Sequence, residues 1–180
     1  MKPNKPKINI RVDKPCFTNS VDSIQIAPSL SAATVTLAQA GWRDLAATRE
    51  LEKVCFGSDA WGYFELVMSL LQPGMVRLKA TQQSQVVGLV IGDSRPFERV
   101  GWIANICVHP DHQRQGIAKA LLSACEAALP QPVIKLTVRK SNSQAIALYQ
   151  QLGYRQVTVW ANYYSGGEAG LVMEKAKRQL

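Results

Sequence analysis

Residues 105 to 119 read N-I-C-V-H-P-D-H-Q-R-Q-G-I-A-K, the end of an apolar strand that passes through a polar loop straight into a helix. The strand, 101 to 108, stops at His109 and Pro110, because a proline has no N–H to donate to a sheet ladder. Gly116 lets the backbone approach a ligand closely, and the amides of the first helical turn have no partner inside the helix. Such a helix start binds anions, and Arg114 and Lys119 add positive charge beside it. A pyrophosphate is the natural guest. The spacing is Q-R-x-G-x-A, neither G-x-G-x-x-G nor G-x-x-x-x-G-K-[ST], so a dinucleotide-binding turn and a P-loop are both unsupported.

Outward from this loop, Ile117, Leu121, Ala124, Cys125 and Ala128 form a helical stripe that Pro130 and Pro132 end. Upstream, 75 to 81 and 85 to 91 read as strands joined by a polar turn at 82 to 84. Before them lie two amphipathic helices, 42 to 54 and one whose apolar face is Phe64, Val67, Met68 and Leu71. The first strand carries Val35 and Leu37, which alternate with Thr34 and Thr36. Downstream, 133 to 138 is a strand, and Ser141 stands three residues before Gln144 in the spacing of a capping box. That helix runs to Leu152, with Gly153 at its end, and strands 154 to 160 and 170 to 174 follow. The order β-α-α-β-β-β-α-β-α-β-β predicts one α/β domain built on a central mixed sheet flanked by helices.

With 180 residues, of which 47% are hydrophobic, the chain is long enough for one domain with a core and too apolar for a disordered protein. Residues 1 to 32 mix Pro3, Pro6, Pro15 and Pro28 with lysines and carry +3 of the net charge of +8. They read as a flexible basic extension, and 33 to 180 as the folded domain. Cys16, Cys55, Cys107 and Cys125 lie far apart, which points to free thiols in a reducing compartment. His109 and His112 lie in one loop and leave no His-rich metal cluster, so no metal is expected. With no apolar run of about 18 residues, the protein is expected to be soluble and cytoplasmic. The charge lacks aromatic interleaving or a recognised binding motif, so neither nucleic acid nor a membrane is an expected partner.

The loop Arg114, Gln115, Gly116, Ile117, Ala118 resembles the pyrophosphate loop of the GNAT superfamily of acetyl-coenzyme A dependent N-acetyltransferases. The resemblance extends over about 33 to 175. S-N-S-Q-A-I-A-L-Y-Q-Q-L-G-Y from Ser141 to Tyr154, the run Asn162-Tyr163-Tyr164, and Leu51-Glu52-Lys53-Val54-Cys55-Phe56 with Trp61 are similar to the RimI-like branch, which acetylates protein N-termini. The resemblance implies the GNAT fold, with acetyl-CoA as co-substrate. It implies that Ile106, Cys107 and Val108 lie along the acetyl and pantetheine portion, where strand N–H groups polarise the thioester carbonyl. It further implies that Arg114 to Lys119 hold the pyrophosphate, that Asn142 touches the cofactor and that Tyr149 protonates the departing thiolate. Asn105, Thr137, Tyr163 and Tyr164 are the expected acceptor-side residues.

Two of these roles have plain alternatives. Tyr149 shares an apolar face with Ala145, Leu148 and Leu152 and reads equally as a core tyrosine, and Asn142 as a helix-start residue. The general base of the family, a Glu or His, corresponds here to Thr137, which cannot take a proton at neutral pH. Glu98, His109 and Glu168 are candidate replacements. A peptide α-amine with pKa near 8 is partly neutral at pH 7 and a lysine amine near 10.4 is not, which favours α-amines. The expected activity is acetyl transfer to the N-terminal amine of a protein or peptide. A small amine as acceptor, or an acetyl-CoA-binding module of weak activity, are the alternatives.

Overall fold

The periods of the sequence become one eight-stranded sheet in the computed structural model, which describes residues 24–26 and 34–177. The strands are β1 (Ile24–Ile26), β2 (Val35–Gln39), β3 (Met75–Gln82), β4 (Gln85–Arg95), β5 (Val100–Val108), β6 (Val133–Arg139), β7 (Arg155–Trp160) and β8 (Gly170–Ala176). The helices are α1 (Leu45–Phe56), α2 (Tyr63–Leu71), α3 (Ile117–Ala128) and α4 (Ser143–Gln151). The sheet order is β1-β2-β3-β4-β5-β6-β8-β7; β5 and β6 run parallel and every other neighbouring pair antiparallel. The mixed α/β sheet is the expected one. The strand at Ile24–Ile26 was not expected: it pairs with β2 and lies within the segment read as an extension. Cys16 lies outside the described residues.

Each face of the sheet has its own core. On one, Ile117, Leu121, Leu122 and Cys125 of α3 and Tyr149 of α4 pack on Val90, Ile103, Ile134 and Leu136. On the other, Leu51 of α1 and Leu66 and Leu70 of α2 pack on Leu89, Ile91 and Cys107. The expected face of α2 is wrong, since Phe64 and Leu71 are exposed and Leu66, Ser69 and Leu70 are buried. Nearly every residue of that helix is apolar, so periodicity had no polar side from which to choose. The β3–β4 turn narrows to Gln83 and Ser84, both at positive φ, as a two-residue hairpin turn requires.

Candidate active site

The parallel pairing of β5 with β6 begins at Val100 with Val133 and ends at Ile103 with Leu136. β5 continues to Val108 and β6 to Arg139, so a gap opens between them. The cause lies in β5. Ile91 of β4 pairs with Asn105 and Gly92 with Ile103, which leaves Ala104 as a bulged residue. One extra residue also reverses the side-chain alternation. Before the bulge, a side chain at Gly101 would meet Leu129, the residue that ends α3, and Ile103 lies in the α3 core. After it, Asn105 and Cys107 face α1.

The α1 side of this gap holds the expected acceptor residues. Thr137 alternates with the α3-side residues Leu136 and Val138 and shares the α1 face with Asn105. Gly170 on β8 fits against it, since a Cβ there would stand 2.7 Å from Thr137 Cγ2 and 3.1 Å from Tyr163 Cδ1. Tyr164 Oη donates to the Thr137 carbonyl at 3.1 Å, and the Tyr163 and Tyr164 rings meet edge to face at 4.9 Å. Trp160 lies 5.3 Å from Tyr163 and stacks on Trp102 at 5.8 Å. Burial pushes both tyrosine hydroxyls above their ordinary pKa, so neither serves as a base. Trp102 Nε1 and Asn105 Oδ1 are buried and have no hydrogen-bond partner among the described residues.

At the other end of β5 the chain enters α3 through Gly116, which is left-handed at φ 81° and carries no side-chain cap. Ile117 is buried in the core, which fixes the helix, while Arg114, Gln115 and Lys119 are exposed beside the uncapped amides. Ile106 is half-buried at the edge of the α3 core and Val108 is inside it, whereas the Cys107 side chain lies on the α1 face. Only main-chain groups of Cys107 are therefore available to the gap. Ser141 does not cap α4: Asn142 does, its Oδ1 accepting from Ala145 N at 3.0 Å, while Ser141 N donates to Glu168 Oε1. Tyr149 packs in the α3 core, 5.9 Å from the Tyr154 ring. Its hydroxyl has no hydrogen-bond partner among the described residues, and burial raises its pKa to about 12.

The three candidate replacements for the base fare differently. Glu98 lies before Val100, at the end of β5 away from the gap, within 3.6 Å of Arg95. His109 accepts from Asp111 N and lines a groove against α1 with Leu51, Val54 and Val87. Glu168 accepts from Ser141 N and from Arg139, and these contacts, Ser141 first, hold its carboxyl at about 2. A carboxylate so stabilised is a poor proton acceptor. The carboxylate that does face the gap is Glu52, 1% exposed on α1, bonded to Asn105 Nδ2 at 2.7 Å and to Trp61 N at 3.2 Å. It is absent from the expected list. Thr48, Leu51, Glu52 and Cys55 stand at i, i+3, i+4 and i+7, a spacing that places this Glu on the buried stripe. Among the described residues, no group of three or more His, Cys, Asp or Glu could hold a metal ion.

The chain is similar to known proteins in sequence and in fold. The chain is similar to the ribosomal protein bS18-alanine N-acetyltransferase of Escherichia coli, 43% identical over 75 residues, 38% of this chain and 51% of that protein. The chain thus spans about half the length of that curated relative. The enzyme of the same name from Salmonella typhimurium is 40% identical over 128 residues, 68% of this chain and 77% of the relative. The crystal structure of the ribosomal-protein-S18-alanine N-acetyltransferase from Escherichia coli superposes with a TM-score of 0.74 at 27% identity, covering 81% of this chain and 96% of that one. The profile of the acetyltransferase (GNAT) family spans residues 45–154, from the start of α1 through the parted strands and the α3 loop to Tyr154, and the chain belongs to that family, in its RimI-like branch.

Proposed function

We propose that this chain transfers the acetyl group of acetyl-CoA to the N-terminal α-amine of a protein or peptide, in the cytoplasm. The parting of β5 and β6 after Ile103 and Leu136 carries the proposal. Beyond that point the gap-facing main-chain groups of β5 lack a β6 partner, and oriented N–H groups are what a developing negative charge on a carbonyl oxygen needs.

The chain also fits the co-substrate at its phosphates. A Cβ at Gly116 would meet nothing within 4 Å, so the space in front of the uncapped α3 amides is open, with Arg114 and Lys119 at its rim. Arg114, Gln115, Gly116, Ile117, Ala118 and Lys119 would hold the pyrophosphate, the first turn through its amides. Ile106, Cys107 and Val108 would line the pantetheine through the backbone. Asn142 has its Oδ1 committed to capping α4, which leaves its Nδ2 to reach the cofactor. Acetyl-CoA supplies an acetyl group activated as a thioester. Tyr149 holds a proton throughout the neutral range, because burial lifts its pKa to about 12, and it is the residue suited to protonate a leaving thiolate. On the other face Asn105, Thr137, Tyr163 and Tyr164 form the acceptor side. The relatives named ribosomal protein bS18-alanine N-acetyltransferase support an α-amine acceptor. The free thiols of Cys55, Cys107 and Cys125 agree with a reducing compartment.

The test is release of the coenzyme A thiol on three acceptor sets: peptides with free N-termini, the same peptides with blocked N-termini and an internal lysine, and polyamines. Turnover on the first set is expected. Preference for polyamines, or acetyl-CoA binding with no thiol release on any amine, would overturn the proposal.

A further inference from the structure

Helix α1 carries two carboxylates, Glu50 and Glu52, and treats them in opposite ways. Glu50 is exposed and pairs with Lys53, whereas Glu52 is 1% exposed and faces β5. A carboxylate is buried at a cost unless donors meet it, and three do, the Cys107 thiol at 3.9 Å from Oε1 among them. Oε1 accepts from Asn105 Nδ2 at 2.7 Å and Oε2 from Trp61 N at 3.2 Å, so one side chain ties the bulged strand to the α1–α2 connection. The thiols of Cys55 and Cys107 are the titratable groups packed against it. Cys107 is pushed well up by Cys55, by burial and by the Glu52 charge, so it remains a thiol. Burial also raises the Glu52 carboxyl, against the hydrogen bonds from Trp61, Asn105 and Cys107.

The consequence falls on Asn105. Its Nδ2 is committed to Glu52, which fixes the orientation of the amide, and its Oδ1 is a buried acceptor with no partner among the described residues. Asn105 is itself only 7% exposed. Native interiors leave few such atoms unpaired, and this one lies just past the bulge, on the same face as Thr137 across the gap. An acceptor oxygen backed by a carboxylate suits a cationic N–H donor.

On the acetyl-transfer reading above, we infer that Glu52 is a positioning residue: it holds Asn105 so that Oδ1 accepts an N–H of the incoming α-ammonium. The Glu52 charge, one hydrogen bond behind, favours the cationic amine on arrival. It restores part of the electrostatics that Thr137 cannot supply. No proton moves in this step.

The test is a double-mutant cycle of Glu52→Gln and Asn105→Ala in the full chain, with the peptide that the acceptor panel identifies. A glutamine replaces one of the two carboxylate oxygens by an NH2 group that accepts nothing, so either Asn105 and Cys107 or Trp61 lose their acceptor. Each single variant is expected to raise the peptide KM about tenfold and to leave the acetyl-CoA dissociation constant within about twofold. The double variant is expected to be no worse than the worse single variant, and the acid limb of kcat/KM against pH to move in Glu52→Gln. Unchanged peptide KM values, or effects that multiply, would overturn the inference. Should Glu52→Gln fail to fold, Asn105→Ala decides alone, since it leaves the Glu52 to Trp61 bond in place. A wild-type protein that acetylates no peptide refutes the acetyl-transfer reading, whereas active wild-type protein with unaffected variants refutes only the role of Glu52.

Discussion

Arg139 Nη1 donates to Glu168 Oε2 at 2.5 Å. The same guanidinium pairs with Asp59 and lies 4.5 Å over the ring of Tyr164. One side chain at the end of β6 thus joins the α1–α2 connection to the β7–β8 connection beside Tyr164.

This pairing makes stability depend on pH in a defined window. The Glu168 carboxyl, held by Ser141 and Arg139, titrates at about 2 in the folded protein against an ordinary value of 4.5. A carboxyl depressed on folding contributes stability that is fully present above the ordinary value and lost as pH falls through the folded one. Thermal denaturation of wild type and Glu168→Gln is therefore expected to show a constant gap above pH 4.5 that closes between 4.5 and 2. A gap that persists at the acid end would contradict the assignment.

Tyr149→Phe separates catalysis from packing. Burial alone governs the hydroxyl, with no hydrogen bond contributing, so the substitution is expected to shift stability by less than about 1 kcal/mol. A lost general acid is expected to lower kcat by roughly 100-fold at saturating amine. Steady-state kinetics beside a melting curve reads both.

Gly116→Ala strains a residue at φ 81° and sets a methyl group before the uncapped α3 amides. Calorimetry is expected to show acetyl-CoA affinity down roughly tenfold, equivalent to about 1.4 kcal/mol. The left-handed conformation is expected to cost a further ~1 kcal/mol of folding stability.

Gly170→Ala acts on the opposite side. The new Cβ would stand 2.7 Å from Thr137 Cγ2, so overpacking is expected to cost about 1–3 kcal/mol. Thr137 and Tyr163 must move to admit it, and the peptide KM is expected to rise more than the acetyl-CoA dissociation constant. Equal effects on both would place the acceptor elsewhere.

The local features of this protein were legible in its residues. The Q-R-x-G-x-A loop is contiguous, and its glycine, its two cations and the helix start all lie within six positions. From Val35 onward the strand and helix order followed from period and from the proline and glycine stops for the same reason. Where the apolar signal was continuous, as in α2, the buried face could not be chosen. Asn142, not Ser141, caps α4, because Ser141 N is drawn to Glu168, 27 residues away.

The sequence by itself determined the α/β order from Val35 onward, the glycine-led start of α3 and the family resemblance, since each depends on residues adjacent in the chain. Only the tertiary structure decided what stands around the gap between β5 and β6. The bulge at Ala104 exists in the pairing of β4 with β5, and it is this pairing that turns Asn105 toward α1. Glu52 meets Asn105 across 53 residues of chain, and Arg139 meets Glu168 across 29. A buried carboxylate and its donors are brought together by sheet register and helix packing, two quantities that no contiguous stretch of sequence encodes.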